Sequence, residues 1–437
     1  MHDTLRFARL ALAAAALLLP AAAMSAPDAK DKGWKFTVQP AIDGGTISVA
    51  AATSGPAETL SVRLRDIGTS PAQEIMGRSF PDATSMTFEL PDVKKPAYVD
   101  VTVTTATDGG KPLFQWRALL PAEGRKVADY KGIADELAPP ADFDAYWKRA
   151  RKELAAVEMK PVVTRVEAKD TTTGLLHRVE LPTVEETTIV CWYYVPRDAF
   201  DADGKVVKKY PAIQVMPGYG AEEPPIDRTK DGFIVLSVNP RNHGPSKEHW
   251  KSPVEHLAYK IDEPEKYYYR LAVLDVLRGA EFLFSREEVD HGRVATEGGS
   301  QGGYFAIATA AFEPRIRCVV SNVTAFSAYP EGMRLNTAGF ATSFRRMIDE
   351  AETPEKADAV RRSLAYTDGA NLARLVKCPT QVNMGDIDPV CHYACGVVVH
   401  NRLPKGTVRE LNVFPNCRHE VPPAMREANK RWYEKHL

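Results

Sequence analysis

The chain has 437 residues, which exceeds one ordinary domain and predicts two, the larger able to bury a substantial core. Hydrophobic residues make up 44% of it and charged residues 26%, which are ordinary proportions for a soluble globular protein. The formal net charge of -1 shows no electrostatic bias, and this argues against nucleic acid as a partner.

The first part of the chain has the pattern of a secretory signal peptide. Arg6 and Arg9 precede an almost pure Ala/Leu run at 10–23, and small residues continue to position 26. Pro20 and the shortness of the run disfavour a transmembrane anchor, and the basic start disfavours an ordinary buried helix. We therefore predict a signal peptide at 1–26 and an exported protein, periplasmic or secreted, with no stable membrane anchor after cleavage.

Residues 34–122 alternate apolar and polar side chains in short runs, which Gly, Pro and Asp separate. The runs at 60–64 and 98–103 show this period of two most clearly, and it predicts a small antiparallel β-sandwich domain of the immunoglobulin-like kind. No catalytic constellation lies in this region. We expect a packing or spacer module, with polysaccharide binding as the alternative.

Residues 123–141 are a predicted linker, and a second domain is predicted at 142–437. Asp142 is placed to cap a first helix. The apolar face of that helix comprises Phe143, Tyr146, Trp147 and Leu154. Strand-like apolar runs then occur at 188–195, 212–216, 233–238 and 294–296, and helical periodicity occurs at 268–284 and 304–311. Such alternation predicts an α/β fold with a mostly parallel sheet and helices on both faces.

The clearest chemical signal is the sequence Gly-Gly-Ser-Gln-Gly-Gly at 298–303, which follows the short strand 294–296 and precedes a helix. That context is typical of the nucleophile elbow of the α/β-hydrolase fold, with Ser300 as the nucleophile. The turn is so tight that only glycine fits at the flanking positions, and it presents the hydroxyl at a helix N-terminus. Chance matches to this motif are common, so the strand and the helix around it supply most of its specificity.

A serine nucleophile needs a base and an acid further along the chain. His419 is the predicted base, because it lies in a loop after the strand-like run 410–414. The run 380–384 ends in Gly-Asp-Ile-Asp-Pro, which puts two carboxylates at the end of a strand. We choose Asp388 as the acid that orients the base, with Asp386 as the alternative. Either carboxylate has a structural alternative, which is to cap the helix that follows.

The oxyanion hole is expected to come from two backbone N–H groups. One belongs to Gln301, directly after the nucleophile, and the other to the loop 217–220 that follows an earlier strand. Within that loop, Tyr219 is the predicted donor.

Several spaced motifs carry a family resemblance. They are the elbow at 298–303, the run Tyr-Tyr-Tyr-Arg at 267–270 with Asp275 and Arg278 behind it, the turn 385–388 and the pair His419 and Glu420. From about residue 143 onwards, the chain resembles the acetyl xylan esterase and cephalosporin-C deacetylase family, which is carbohydrate esterase family seven. Motifs that recur in this order are far more specific than the elbow alone.

The resemblance implies a catalytic triad of Ser300, Asp388 and His419. It places Tyr219 on the family's oxyanion-hole tyrosine and residues 241–244 on its Arg-Gly-Gln-Gly motif. It also implies an ester hydrolase in which water releases acetate from an acyl-enzyme, with acetylated sugars or xylo-oligosaccharides as substrates. This chemistry needs no cofactor and no metal.

Some residues depart from the family pattern. Asn242 and His243 replace the family's Gly-Gln, and His392 stands where a proline is usual. Residues 321–330 also differ from the family's proline-containing loop near the acyl pocket. The signal peptide and the β-sandwich are foreign to the family's compact cytosolic members, so a homo-oligomer like their ring-shaped hexamer is left open.

Two other functions are compatible with the same domain. An α/β-hydrolase peptidase or a general carboxylesterase shares the triad, but one short sandwich cannot supply the propeller domain typical of prolyl peptidases. The second alternative is an inactive carbohydrate-binding homologue. All three residue types of a triad are present, and this argues against lost activity.

Export places six cysteines in an oxidising compartment, at positions 191, 318, 378, 391, 395 and 417. Their spacing is no clean zinc pattern, and core packing is the expectation for the first three. Cys391 and Cys417 flank the predicted acid and base, so a disulfide between them is a hypothesis, with Cys395 as a competing partner. The alternative is three free, buried thiols.

Overall fold

The structure is a computed structural model, and it describes residues 34–40, 47–53, 58–66, 73–83, 85–89, 97–105, 112–120, 125–131, 138–335, 340–415 and 417–437. The predicted signal peptide at 1–26 lies outside the described residues. The chain divides into two compact units, Met1–Lys126 and Val127–Leu437.

The first unit contains short antiparallel strands. They are β1 (Trp34–Pro40), β2 (Ile47–Thr53), β3 (Glu58–Asp66), β4 (Gln73–Ala83), β5 (Ser85–Glu89), β6 (Ala97–Thr105) and β7 (Pro112–Leu120). They form two sheets, in the orders β1-β2-β5 and β4-β3-β6-β7. On β3, Leu60, Val62 and Leu64 are buried while Arg63 and Arg65 are exposed, as the period of two predicts. The packing of the two sheets into a sandwich stays a prediction.

The second unit is built on one large mixed sheet. Its strands are β8 (Val162–Arg165), β9 (Gly174–Thr183), β10 (Thr187–Pro196), β11 (Tyr210–Met216), β12 (Ile234–Asn239), β13 (Val289–Gly299), β14 (Cys318–Asn322), β15 (Thr380–Gly385) and β16 (Arg409–Phe414). Their order is β16-β15-β14-β13-β11-β12-β10-β9-β8. Every pair from β12 to β16 is parallel, whereas β8, β9 and β10 are antiparallel to their neighbours. The predicted mostly parallel sheet is therefore confirmed.

The helices of this unit are α1 (Phe143–Ala156), α2 (Tyr268–Leu283), α3 (Gln301–Phe312), α4 (Tyr329–Leu335), α5 (Phe340–Asp349), α6 (Pro354–Thr367), α7 (Gly369–Ala373), α8 (Tyr393–Arg402) and α9 (Pro423–His436). The predicted apolar face of α1 is buried. Asp142 stands at its N-cap position, but the expected cap is wrong: its side chain accepts a hydrogen bond from the Tyr366 hydroxyl instead. No helix of the described residues is both long and apolar enough to cross a membrane.

The parallel strands bring the candidate residues to one edge of the sheet. The loop 217–220 follows β11, Ser300 follows β13, the acid loop 386–388 follows β15 and the base loop 415–420 follows β16. Because the carboxyl ends of parallel strands share an edge, these four segments meet there although they are distant in sequence.

Candidate active site

Ser300 occupies the predicted turn between strand and helix, since β13 ends directly before it and α3 begins directly after it. Its φ of 57° and ψ of -119° lie where non-glycine residues are rare, and such strain is typical of a nucleophile elbow. The glycines beside it are needed for steric reasons. A Cβ atom at Gly298 would lie 2.3 Å from the carbonyl carbon of Gly302, and one at Gly302 would lie 2.1 Å from the Met216 carbonyl oxygen.

The three predicted triad residues form one continuous chain of hydrogen bonds. Ser300 Oγ lies 2.9 Å from His419 Nε2, and His419 Nδ1 lies 2.8 Å from Asp388 Oδ2. Because a carboxylate accepts, Nδ1 carries the proton and Nε2 is left to accept the serine proton. The Asp388 side chain is fully buried while that of His419 is 25% exposed, so the base is the member that solvent can reach.

The two candidate acids have different partners. The second oxygen of Asp388 accepts hydrogen bonds from the backbone N–H groups of Val390 (2.8 Å) and Cys391 (2.9 Å), which hold its turn. Asp386 Oδ1 instead accepts a hydrogen bond from the Cys417 backbone N–H at 3.1 Å. The structure therefore brings Asp388 and not Asp386 to the candidate base. Asp386 joins the acid loop to the base loop.

The two candidate oxyanion donors flank the elbow. The Gln301 N–H is the first of α3, and the first N–H groups of a helix have no partner within it. The loop 217–220 lies against Gln301, whose Nε2 donates to the Pro217 carbonyl at 3.5 Å. The hydroxyl of Tyr219 donates to Glu255 Oε1 at 2.8 Å, and burial, aided by that carboxylate, raises the Tyr219 pKa. The oxyanion-hole role of both N–H groups stays a prediction.

Behind the elbow, a buried chain of hydrogen bonds holds the Gln301 side chain. Its Oε1 accepts from the Tyr269 hydroxyl at 2.8 Å, so its amide nitrogen donates to His243 Nε2 at 2.9 Å. His243 must then donate from Nδ1 to the Arg241 carbonyl, 3.1 Å away. Burial lowers the His243 pKa to about 4, against the effect of that hydrogen bond, so the ring is neutral near pH 7.

The same layer contains a fully buried ion pair. Arg241 Nε and Nη2 donate to the two oxygens of Asp275 at 2.8 and 2.9 Å, and the Arg241 backbone N–H adds a bond of 3.0 Å. Thr183 Oγ1 also donates to Asp275, at 3.0 Å. This bidentate geometry is the strong form of a charge-assisted hydrogen bond. The pair fixes the segment that carries His243 without reaching the reacting atoms.

A small hollow lies beside the turn that follows Asp388, and no triad residue lines it. Burial raises the pKa of the Cys391 thiol, and an interaction with Ser300 opposes that shift. Cys391 also lines this hollow of about 30 Å³, together with the rings of Phe326 and Phe340. A second cavity of about 520 Å³ lies among α4, α5 and α6, and no triad residue lines it.

The hypothesised disulfide between Cys391 and Cys417 is not formed, because all six cysteines are free. The acid and base loops do meet, but the two sulfurs have other contacts. The Cys417 thiol is 3.4 Å from the Arg418 carbonyl, within its own loop, whereas the Cys391 thiol is buried and interacts with Ser300. The competing partner, Cys395, is buried against the Ala328 carbonyl.

Some residues of the site have no role in the sequence argument. His243 was known only as a departure from the family motif, and Cys391 only as a candidate for a disulfide. Asp368, which bonds to the turn beside the nucleophile, was missed entirely. A carboxylate directly before a short helix is ordinary capping sequence, so no local signal distinguishes it. Among the described residues, no group of three or more His, Cys, Asp or Glu side chains could hold a metal ion.

Comparison with known proteins gives a family match that covers most of the chain. The family profile for acetyl xylan esterase (AXE1) matches residues 120–437. The acetyl esterase Axe7A of Xylanibacter ruminicola is 26% identical over 312 residues, which are 68% of this chain and 67% of that protein.

Two solved structures have a similar fold. The acetyl xylan esterase 1 of Thermoanaerobacterium sp. is 24% identical, with a TM-score of 0.62 over 71% of this chain and 97% of that one. The acetyl xylan esterase of Paenibacillus sp. R4 is also 24% identical, with a TM-score of 0.64 over 71% of this chain and 98% of that one. These likenesses confirm the predicted α/β-hydrolase fold.

Proposed function

Because the chain belongs to the acetyl xylan esterase family, we propose that it is a serine esterase that removes acetyl groups from acetylated sugars or xylo-oligosaccharides. The observation that carries this proposal is the hydrogen-bonded chain from Ser300 through His419 to Asp388, at a strained elbow. The family gives the ester class, and the geometry supports the roles of the individual residues.

The mechanism follows from the direction of the hydrogen bonds. Ser300 Oγ attacks the acetyl carbonyl carbon while His419 Nε2 takes its proton, and Asp388 stabilises the imidazolium that forms. The carbonyl oxygen becomes an anion, which the N–H groups of Gln301 and Tyr219 stabilise. His419 then gives the proton to the leaving sugar oxygen, and the acetyl group stays on the serine.

The second half of the reaction reverses these roles. His419 takes a proton from a water molecule, whose oxygen attacks the acetyl carbon. When the tetrahedral intermediate collapses, acetate leaves and the proton returns to Ser300 Oγ. Neither half requires a redox step or a group beyond this chain's own residues and water.

The alternatives from sequence are less well supported. A peptidase or a carboxylesterase for longer acyl groups would use the same triad and would differ from an acetyl esterase in the shape of its substrate pocket. An inactive carbohydrate-binding protein would not need an acid, a base and a nucleophile within hydrogen-bonding distance of each other. The family match also favours the esterase.

The proposal is tested with a panel of acetylated sugars and p-nitrophenyl esters of increasing acyl length. Wild type should turn over acetyl esters fastest, and Ser300→Ala should fold normally and lose roughly three or more orders of magnitude in kcat. Normal turnover by that variant would reject the mechanism, and a preference for butyrate or longer esters would reject the acetyl specificity.

We also propose that residues 1–26 direct export and that residues 34–122 form a separate domain before the catalytic one. The basic start, the apolar run and the small residues up to position 26 support export. The division of the chain between Lys126 and Val127 supports the separate domain.

A further inference from the structure

The turn that connects β14 to α4 has an unusual backbone. Its residues 323–328 are all buried, and three of them have positive φ angles: Val323 (41°), Phe326 (48°) and Ala328 (52°). None of these is glycine, and a β-branched valine is especially disfavoured in that region. Such a conformation persists only where its surroundings hold it at several points.

One set of attachments joins the turn to the nucleophile's own peptide groups. The Ser300 N–H donates to the Asn322 carbonyl at 2.9 Å, directly before the turn. The Ala325 N–H donates to the Ser300 carbonyl at 3.1 Å. A shift of the turn would therefore displace the backbone from which Ser300 Oγ projects.

A second set of attachments comes from Asp368, which is only 2% exposed. Its Oδ1 accepts from the Ala328 N–H at 2.8 Å and its Oδ2 from the Tyr329 N–H at 2.9 Å. The next residue, Gly369, donates its N–H to the Phe326 carbonyl at 2.9 Å. The carboxylate thus engages the end of the strained turn with both of its oxygens.

The backbone of this turn also determines the position of the Phe326 ring. The centroid of this ring is 4.4 Å from the ring centroid of Tyr269, and the Tyr269 hydroxyl donates a hydrogen bond to the Gln301 side chain. The Phe326 ring also lines the small hollow that contains Cys391. Phe326 therefore packs between Tyr269, which holds Gln301, and the hollow of Cys391, whose thiol interacts with Ser300.

We propose that Asp368 is a positioning residue for the acyl-transfer reaction, which holds the strained turn 323–328 so that Phe326 limits the acyl group to acetyl. It touches neither substrate nor the reacting atoms, and it acts through the backbone of the turn. The inference rests on the proposed esterase function and adds a determinant of its acyl specificity.

The ionisation of Asp368 should affect this role. Burial raises the Asp368 pKa to about 6, although three backbone N–H groups and Arg402 oppose the shift. The other groups that interact with it are Tyr304, Tyr329 and Cys395. Burial raises the pKa of each of these above its ordinary value, so they stay neutral over this pH range. Charged side chains on the surrounding helices are Glu331, Arg334, Arg345 and Arg361. A protonated carboxyl carries a donor where the backbone N–H groups of the turn require acceptors. The hydrogen bonds from Asp368 to the turn should therefore weaken below about pH 6.

The first test compares Asp368→Asn with the matched control Asp358→Asn, whose carboxylate is exposed on α6 and pairs with Arg361. The measured quantity is the ratio of kcat/KM for p-nitrophenyl acetate to that for p-nitrophenyl butyrate. This ratio is independent of the fraction of folded enzyme, so a purely structural role would not change it. We expect it to fall about tenfold in Asp368→Asn, the scale of discrimination for methylene-sized differences, and to stay unchanged in the control.

The second test follows wild type across a range of pH, so it remains decisive if Asp368→Asn does not fold. A folded variant serves as its reference. The two esters use the same triad, so its ionisation cancels in the ratio of their kcat/KM values. We expect the ratio to decrease as the pH falls from about 7.5 to about 5, and to be low and constant in Asp368→Asn. A ratio that is flat in wild type, or that is unchanged in the variant, would overturn the positioning role. Failure of the proposed function would appear differently, as absent turnover of acetyl esters or as an active Ser300→Ala.

Discussion

Ser300 lies between two polar regions that have different burial and different partners. On one side, His419 bonds to its hydroxyl and Asp388 bonds to His419, and the histidine is 25% exposed. On the other side, Gln301 and Arg241 belong to a buried layer that bonds to backbone carbonyls and to other buried side chains. In the proposed mechanism the first region exchanges protons, whereas the second holds the Gln301 side chain behind the elbow.

Because the two regions differ in this way, substitutions in one should reduce turnover and substitutions in the other should reduce stability. A conservative change in the triad region should remove the chemistry and leave the fold, because an amide at position 388 can still accept the two backbone hydrogen bonds that hold the turn. A change in the buried layer should reduce the free energy of unfolding and leave turnover per folded molecule nearly intact, since none of its side chains reaches the serine hydroxyl.

The largest expected effect on turnover comes from the acid. Asp388→Asn should lower kcat by about three to four orders of magnitude, because an amide cannot hold the histidine in the tautomer that accepts the serine proton. The midpoint of thermal unfolding should change little. Steady-state kinetics with p-nitrophenyl acetate and a thermal melt check both expectations.

Asp386→Asn is the matched control, because its carboxylate is two residues away and accepts a hydrogen bond from the backbone of the base loop. The amide oxygen can still accept from the Cys417 N–H, so kcat should fall less than about tenfold. The reverse order of the two variants would move the acid to Asp386 and contradict the geometry.

The buried layer should show the opposite pattern. Asp275→Asn leaves the guanidinium of Arg241 buried without a compensating charge, and this should lower the free energy of unfolding by about 3–5 kcal/mol. Turnover per folded molecule should stay within about tenfold of wild type. Chemical denaturation and active-site titration together measure these two quantities.

Asp290→Asn is the corresponding control, since its partner Arg293 lies near the surface. An exposed pair of this kind contributes about 0–1 kcal/mol. Equal destabilisation by the two substitutions would show that the buried pair is not what holds the layer together.

The smallest expected effect is on the pH dependence of stability. Burial lowers the His243 pKa to about 4, whereas the unfolded chain has an ordinary histidine value of about 6.5. Between these values the unfolded state binds more protons, so the free energy of unfolding should decrease as the pH falls, by roughly 3 kcal/mol in total.

His243→Gln, which places the family's glutamine at this position, should make that decrease smaller. Burial also lowers the His256 pKa, to about 3, so this histidine should still contribute part of the decrease in the free energy of unfolding in both proteins. Urea unfolding at several pH values from about 7 to about 4.5 measures how steeply the free energy of unfolding changes with pH in wild type and in His243→Gln. Identical slopes for wild type and variant would mean that His243 is not buried as a neutral ring.

The sequence predicts the catalytic unit best where the signal is local. Gly298 and Gly302 have no room for a side chain, and the predicted apolar runs coincide with strands of the sheet, although β8, β9 and β14 were not predicted. The predicted strand at 294–296 is only the buried middle of β13 (Val289–Gly299), because its first half is partly polar and exposed. Periodicity therefore finds elements better than it finds their ends.

Features that depend on tertiary contacts were not predictable. The turn at 323–328 contains neither glycine nor proline, so nothing in its residues indicates three positive φ angles. The disulfide hypothesis correctly expected the acid and base loops to meet. It was wrong about the sulfurs, because spacing along the chain does not determine the direction of the Cys391 side chain.

The central claim is that Ser300 is the nucleophile that His419 and Asp388 activate. The most direct measurement is covalent labelling with a p-nitrophenyl alkylphosphonate, which reacts with an activated serine and leaves a stable adduct. Intact-mass and peptide-mass analysis should find one adduct per chain, on the peptide that contains Ser300, with none in Ser300→Ala and much slower labelling in Asp388→Asn. An adduct on another residue, or equal labelling of Ser300→Ala, would contradict the account.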